Sequence, residues 1–340
     1  MKTILIVSLV ALLAALPASP QVIKEYIRLN NRVVAVESNA GQVAPTVDGA
    51  SPETGSGSGP ITFTFSDFNG ATDFQWLWML IPSGLGLDGY NACYLDYQPS
   101  TRTLRLWSDT FAVGEQLVVG SSSVIGASNS RCQVNGAGTS VQTTGNTLTL
   151  TVNFTFKAPF IGRRILYAAA LDNLNNNSGW QSVGVRYLPQ PPPPANVPQV
   201  SSLSPSRITS RRQTVTMVVS DPNGAGDLNV INLLINSALD GQNACFLAYV
   251  RPWNMFFLVS DDGGGLIAPS GSPSVAANRQ CRLYGATSSA APSGNALNLN
   301  FDLEFLEPRF NGNRIVFGAA GDLSGNNSGW QVLGTLAVQQ

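Results

Sequence analysis

The chain contains one domain-sized pattern twice, and this repetition constrains its fold more than any other feature. DGYNAC at Asp88–Cys93 returns as DGQNAC at Asp240–Cys245, and NNSGWQ at Asn176–Gln181 returns at Asn326–Gln331. Equivalent positions stay about 150 residues apart, so each copy is long enough to bury a core of its own. We therefore predict two tandem copies of one domain. A residue found in only one copy is then not required by the shared fold.

The first 18 residues have the pattern of a secretory signal peptide. A single lysine precedes an apolar run from Ile4 to Leu16, and small residues follow it. The run is too short for a membrane span, and no later segment approaches the necessary length. We predict an exported protein, secreted or at the cell surface, with the periplasm as an alternative and no membrane span in the mature chain.

Composition excludes several classes of function. Only 11% of residues are charged and the net charge is −1, which argues against nucleic acid as a partner. The chain has no histidine, so Ser-His-Asp catalysis and His-ligated metals are excluded. We predict no catalytic residues and no enzymatic activity. A glycoside hydrolase that uses turn aspartates is the remaining enzymatic alternative.

The four cysteines fall two to a repeat, which predicts one disulfide inside each copy: Cys93 with Cys132 and Cys245 with Cys281. Two cysteines without histidine would make a poor zinc site. Closing loops of this length stabilises a domain by about 4 kcal/mol in the chain-entropy model.

Both repeats have the two-residue periodicity of β-strands, seen most clearly at residues 148–156 and 297–305. Further strands are predicted over residues 61–66, 74–81, 92–97, 103–108, 164–170 and 181–187. About seven short strands per copy predict an all-β protein of two tandem immunoglobulin-like β-sandwiches.

The boundaries of these domains follow from composition. We predict a β-hairpin over residues 22–38, a linker over 39–60 and the first domain over 61–188. The proline-rich residues 189–198 form a second linker, and the second domain covers 199–340. Consecutive prolines favour an extended polyproline helix, so we expect the two domains to be spaced apart without packing together.

Several segments resemble a bacterial immunoglobulin-like, or fibronectin-III-like, module: TFTFSDFNGATD, DGYNACYLDY, SRCQVNGAG, GNTLTLTVNFTF and LNNNSGWQ. The resemblance implies an extracellular binding, adhesion or spacing role, with an unknown protein or glycan as partner and no catalytic residues. The hairpin sequence VIKEYIRLNNRVVAVES is similar to the hairpins of RHS/YD-repeat proteins, with Asn30-Asn31 where those have glycine.

The strand over residues 74–81 separates shared from copy-specific residues. One face is apolar in both copies and is predicted to be core, with Leu77, Met79 and Ile81 matching Ile231, Leu233 and Ile235. The other face is aromatic only in the first copy, where Phe74, Trp76 and Trp78 replace Leu228, Val230 and Asn232.

Two more aromatic residues, Trp107 and Tyr90, are specific to the first copy, and the second copy has Val259 and Gln242 at the equivalent positions. Together with Trp76 and Trp78 they predict a ligand surface, and the alternative function is that of a carbohydrate-binding module. The same rings also suit packing on a partner, on the N-terminal hairpin or within the local core.

An acidic turn motif occurs in both copies and suggests a calcium site. Asp67, Asn69 and Asp73 recur as Asp221, Asn223 and Asp227, with the oxygen ligands that a hard cation prefers. The alternative is a tight turn held by side-chain hydrogen bonds, with no ion.

Overall fold

The computed structural model describes the backbone of residues 24–29 and 32–38, and all atoms of residues 43–306, 308, 310 and 312–338. The predicted signal peptide, residues 1–18, lies outside the described residues. Lys24–Leu29 (β1) and Arg32–Ser38 (β2) pair antiparallel within the range predicted for the N-terminal hairpin. The Asn30-Asn31 turn between them is outside the described residues.

The first domain is a sandwich of a five-stranded and a seven-stranded sheet, with strand orders β10-β11-β12-β5-β3 and β4-β14-β13-β6-β7-β8-β9. The strands are β3 Thr46–Ser51, β4 Thr54–Ser56, β5 Gly59–Ser66, β6 Phe74–Ile81, β7 Cys93–Gln98, β8 Thr103–Trp107, β9 Gly114–Val118, β10 Val124–Ile125, β11 Cys132–Thr144, β12 Thr147–Phe156, β13 Gly162–Asp172 and β14 Gln181–Leu188.

The second domain repeats this architecture. Its small sheet has the order β15-β17-β25-β23-β22, with β24 also pairing with β25, and its seven-stranded sheet has the order β16-β27-β26-β18-β19-β20-β21. The strands are β15 Gln199–Ser204, β16 Arg207–Ile208, β17 Arg212–Ser220, β18 Leu228–Asn236, β19 Cys245–Val250, β20 Met255–Val259, β21 Leu266–Ile267, β22 Val275–Ala277, β23 Cys281–Tyr284, β24 Ser289–Ser293, β25 Ala296–Phe305, β26 Gly312–Asp322 and β27 Gln331–Val338.

The predicted all-β class is confirmed, and each core lies between the two sheets of its sandwich. In β12 the alternating residues Leu148, Leu150, Val152 and Phe154 are buried against the large sheet, while the threonines between them are half-buried. The only helical turn in the described part of the chain is Arg251–Trp253. Among the described residues no helix is long and apolar enough to cross a membrane.

Both predicted disulfides are confirmed. Cys93–Cys132 and Cys245–Cys281 form with Cα–Cα distances of 5.7 Å and 5.5 Å. Each joins the large sheet to the small sheet, because β7 and β19 belong to the former and β11 and β23 to the latter. The disulfide therefore fastens the two layers of a sandwich to each other.

The prediction of a linker over residues 39–60 is wrong for most of that range. β3 pairs with β5 in the small sheet, and β4 runs parallel to β14 in the large one. Glycine, serine and proline dominate this segment because it switches between sheets within a few residues. With these strands each domain has more than the seven predicted.

The expectation that the domains do not pack together is also wrong. A buried apolar cluster contains residues of both large sheets, among them Leu80, Ile165 and Tyr167 from the first domain and Leu234, Ile315 and Phe317 from the second. Trp180 and Trp330 pack at its margin. The proline-rich segment therefore tethers two domains that share an interface.

Equivalent residues of the two copies meet reciprocally across this interface. Arg207 forms an ion pair of 2.7 Å with Glu53, and Ser206 Oγ donates to Thr54 Oγ1 at 3.4 Å. Glu53 and Ser206 are equivalent, since their carbonyl oxygens accept from Val185 and Thr335 at matching positions of β14 and β27. Exchange of partners between equivalent positions is the signature of a two-fold relation, here within one chain.

Candidate functional site

The outward face of β6 carries the aromatic residues that distinguish the first domain. Leu77, Met79 and Ile81 are fully buried in the core, as predicted, whereas Trp76 and Trp78 are half-buried on the opposite face. Phe74 was expected to share their face, and this is wrong. The pairing with β13 shifts between Leu171 and Asp172, so that Gln75 is an extra residue and Phe74 turns into the core.

Neighbouring strands extend this face with a carboxylate and a cation. Trp78 lies in register with Asp96 of β7, and Asp96 lies in register with Arg105 of β8. Arg105 Nε donates to both oxygens of Asp96, at 3.1 and 3.0 Å, and Trp107 Nε1 donates to Asp96 Oδ2 at 2.7 Å. We call Trp76, Trp78, Asp96, Arg105 and Trp107 the aromatic face.

The buried Asp96 carboxylate holds Arg105 and Trp107 of the aromatic face in place by hydrogen bonds. Its side chain is only 6% exposed, and Arg105 Nη2 also approaches it, at 2.9 Å. The Arg105 guanidinium is thereby held 4.3 Å from the Trp107 ring centroid and 5.8 Å from that of Trp76. Because Arg105 and Trp107 donate to Asp96, the carboxylate fixes ring positions and is not placed as a free acid or base.

Tyr90 joins the aromatic face through Phe111, which sequence reasoning missed. Tyr90 is 59% exposed and packs edge-on against Phe111, with centroids 5.2 Å apart. Phe111 in turn contacts Tyr94 at 5.4 Å and Trp107 at 6.0 Å. All four predicted aromatic residues therefore belong to one continuous surface. The signal for Phe111 was available, because the second copy has Gly263 at that position.

The equivalent face of the second domain is hollow. Val230, Asn232, Ala248, Phe257 and Val259 replace the five residues of the aromatic face. A cavity of about 440 Å³ lies there, lined by residues that include Val230, Asn232, Ala248 and Trp253. The two domains thus share a backbone register but differ completely in what this surface presents.

The predicted acidic turns also come together, with one residue added to each. Asp67 Oδ1 accepts the Asn69 N–H at 2.8 Å, and Asn69 Nδ2 donates to Asp73 Oδ2 at 3.1 Å. Asp172, at the end of β13, brings a third carboxylate within 4.8 Å of the other two. We call Asp67, Asp73 and Asp172 the first triad.

The second domain reproduces this arrangement as the second triad, Asp221, Asp227 and Asp322. Asn223 donates its backbone N–H to Asp221 Oδ1 at 2.8 Å and its side-chain Nδ2 to Asp227 Oδ2 at 3.1 Å, as Asn69 does in the first domain. The sequence showed that Asp172 and Asp322 recur, but not that β13 and β26 end beside these turns.

No protein family model and no curated protein matches this chain.

Proposed function

We propose that this chain is an exported, non-enzymatic binding protein of two immunoglobulin-like domains, and that the aromatic face of the first domain holds a carbohydrate. One observation carries the proposal. Trp76, Trp78 and Trp107 share one sheet face, none of them is required by the fold, and the second domain has no aromatic residue at the three equivalent positions. The C–H faces of sugar rings stack on indole rings in such surfaces.

The backbone at Phe111 supports a functional role for these rings. Phe111 has φ 62°, in the left-handed region, where the second copy has Gly263 with φ 80°. A bulky residue in this conformation costs about 1–2 kcal/mol, and glycine would avoid that cost. A strained residue that the fold does not need is more common at functional sites than elsewhere. The Phe111 ring braces Trp107 and Tyr90.

The polar groups of the aromatic face favour binding over catalysis. Asp96 is hydrogen-bonded to Arg105 and Trp107, so no carboxylate pair is left there for acid–base hydrolysis. Arg105, whose side chain is 30% exposed, remains able to donate to sugar hydroxyls. Export is supported by the two disulfides, which are typical of chains that fold in an oxidising compartment.

A glycan array probed with the full chain tests this proposal, followed by affinity measurements on substitutions that copy the second domain. Trp76→Val and Trp78→Asn introduce residues that the same fold already accommodates. Each should weaken binding roughly thirtyfold, the effect of about 2 kcal/mol expected for a central tryptophan.

Trp253→Ala is the matched control, because Trp253 is 64% exposed and lies beside the hollow face of the second domain. It should leave the affinity unchanged. Full binding by Trp76→Val and Trp78→Asn, or loss of binding in Trp253→Ala alone, would contradict the proposal. Failure to bind any glycan would favour a protein partner for the aromatic face.

A further inference from the structure

The two triads contain buried carboxylate oxygens without a hydrogen-bond donor. Asp67 is 1% exposed and Asp221 is fully buried. In each, Oδ1 accepts a backbone N–H, whereas Oδ2 has no hydrogen-bond partner among the described residues. An ionised carboxylate oxygen buried in this way destabilises a fold unless something positive reaches it. The same atom is left unsatisfied in both copies.

The groups around that oxygen are negative. Burial raises the pKa of Asp67 by more than the hydrogen bond from the Asn69 N–H lowers it. The negative charges of Asp73 and Asp172 raise this pKa further. Asp221 shows the same pattern with Asp227 and Asp322. Three carboxylates within 4.8 Å of one another therefore repel, and a multivalent cation would replace this repulsion with attraction.

The other two members of the first triad are held in place for such an ion. Asp172 accepts the N–H groups of Leu174 and Asn176 on Oδ1, at 2.9 and 2.8 Å, and Asn176 Nδ2 on Oδ2 at 2.7 Å. The Asp73 carbonyl oxygen accepts the Asn173 N–H at 2.8 Å, which joins the β5–β6 turn to the end of β13. These contacts orient the carboxylates before any ligand arrives.

We propose that each domain binds one calcium ion, through Asp67, Asp73 and Asp172 in the first and through Asp221, Asp227 and Asp322 in the second. All side-chain ligands are oxygens, as calcium requires, and water or backbone carbonyls complete its shell of six to eight. Zinc is disfavoured because the chain has no histidine and the described cysteines are all in disulfides. The ion joins the β5–β6 turn, which connects the two sheets, to the end of β13 in the first domain, and the β17–β18 turn to the end of β26 in the second.

Calorimetric titration of the full chain with calcium chloride, after removal of metals by a chelator, tests this proposal. We expect two ions per chain, with dissociation constants of about 10⁻⁴–10⁻³ M, as in extracellular calcium modules. Asp67→Asn and Asp221→Asn should each reduce the stoichiometry to one, and the double substitution should abolish both binding and the rise in melting temperature that calcium produces.

Asp88→Asn and Asp240→Asn provide the matched control. These aspartates also recur in both copies and accept a backbone N–H two residues on, from Tyr90 and Gln242, but they lie outside the triads. They should leave two calcium ions bound. Absence of calcium binding in the unaltered chain would overturn the proposal. Binding of one ion, or binding unaffected by Asp67→Asn and Asp221→Asn, would also overturn it.

Discussion

The outward faces of the two large sheets differ more than any other equivalent regions of the domains. In the first domain three indole rings and the Asp96–Arg105 pair fill the surface, and in the second domain a cavity lies there because Trp76, Trp78 and Trp107 are replaced by the smaller Val230, Asn232 and Val259. The seven-stranded sheet, the disulfide between the sheets and the carboxylate triad recur in both domains, whereas the small sheet has five strands in the first domain and six in the second. The scaffold accommodates either surface, and this difference is the basis for our proposal that the aromatic face serves in binding.

The largest expected effect tests whether the shared scaffold is equally important in both domains. Replacing both cysteines of one disulfide by alanine should lower the free energy of unfolding of that domain by about 4 kcal/mol, because the closed loops are of similar length. The sequence separations are 39 residues for Cys93–Cys132 and 36 for Cys245–Cys281. Urea denaturation of the two variants measures the losses. A markedly smaller loss in one domain would show that the scaffolds are not equivalent.

A smaller effect is expected when the first domain is converted toward the second. Asp96→Ala copies Ala248 but leaves the Arg105 guanidinium and the Trp107 N–H without their acceptor, which should cost about 2 kcal/mol. The triple substitution Asp96→Ala, Arg105→Phe and Trp107→Val removes those donors as well. It should recover most of the lost stability, since replacing a complete ion pair by apolar residues is often neutral.

Thermal and urea denaturation of the single and triple variants check this prediction. If the triple variant is less stable than Asp96→Ala, the aromatic face contributes to folding in a way that the second domain does not need. That result would contradict our proposal that the aromatic face serves in binding alone.

The smallest expected effect is a change in how the free energy of unfolding of the first domain depends on pH. Burial would raise the pKa of Glu115, but hydrogen bonds from the Ser128 hydroxyl and from the N–H groups of Gly126, Ser128 and Ala127 outweigh it and lower the pKa to about 2. Because the pKa is lower in the folded state, the ionised form stabilises the fold above about pH 4.5. That contribution is lost as the pH falls toward about 2.

Glu115→Gln should therefore flatten the dependence of unfolding free energy on pH between about 4.5 and 2, as measured by denaturation across that range. The second domain has Ile267 at the equivalent position, so its transition provides an internal control. An unchanged pH dependence in Glu115→Gln would contradict the lowered pKa of this carboxylate in the folded state.

Much of the scaffold was predictable because the two-residue periodicity of the strands and the repetition of motifs can both be seen in the sequence itself. The alternation in residues 74–81 identified the core face of β6, and the paired cysteines identified both disulfides. The one-residue bulge at Gln75 was not predictable, because it depends on the pairing with β13. It reverses the face of Phe74, which alternation alone placed beside Trp76.

The domain interface was missed although β13 carried a sign of it. Within β13, residues 165–171 form an unbroken apolar run, and Ile165 to Ala170 are buried without alternation. A strand that is apolar on both faces is covered on both, and the second covering is the other domain. Asp172 was missed as a site residue for a related reason, since its nearness to Asp67 exists only after β13 pairs with β6.

The reciprocal contact between the domains changes how the protein should respond to dilution. Two separate chains that meet through equivalent faces form a dimer, which dissociates when its concentration falls. Here residues 189–198 connect the partners, so the local concentration of one face around the other is set by the tether and not by the amount of protein. The association of the two domains should therefore not depend on how dilute the protein is.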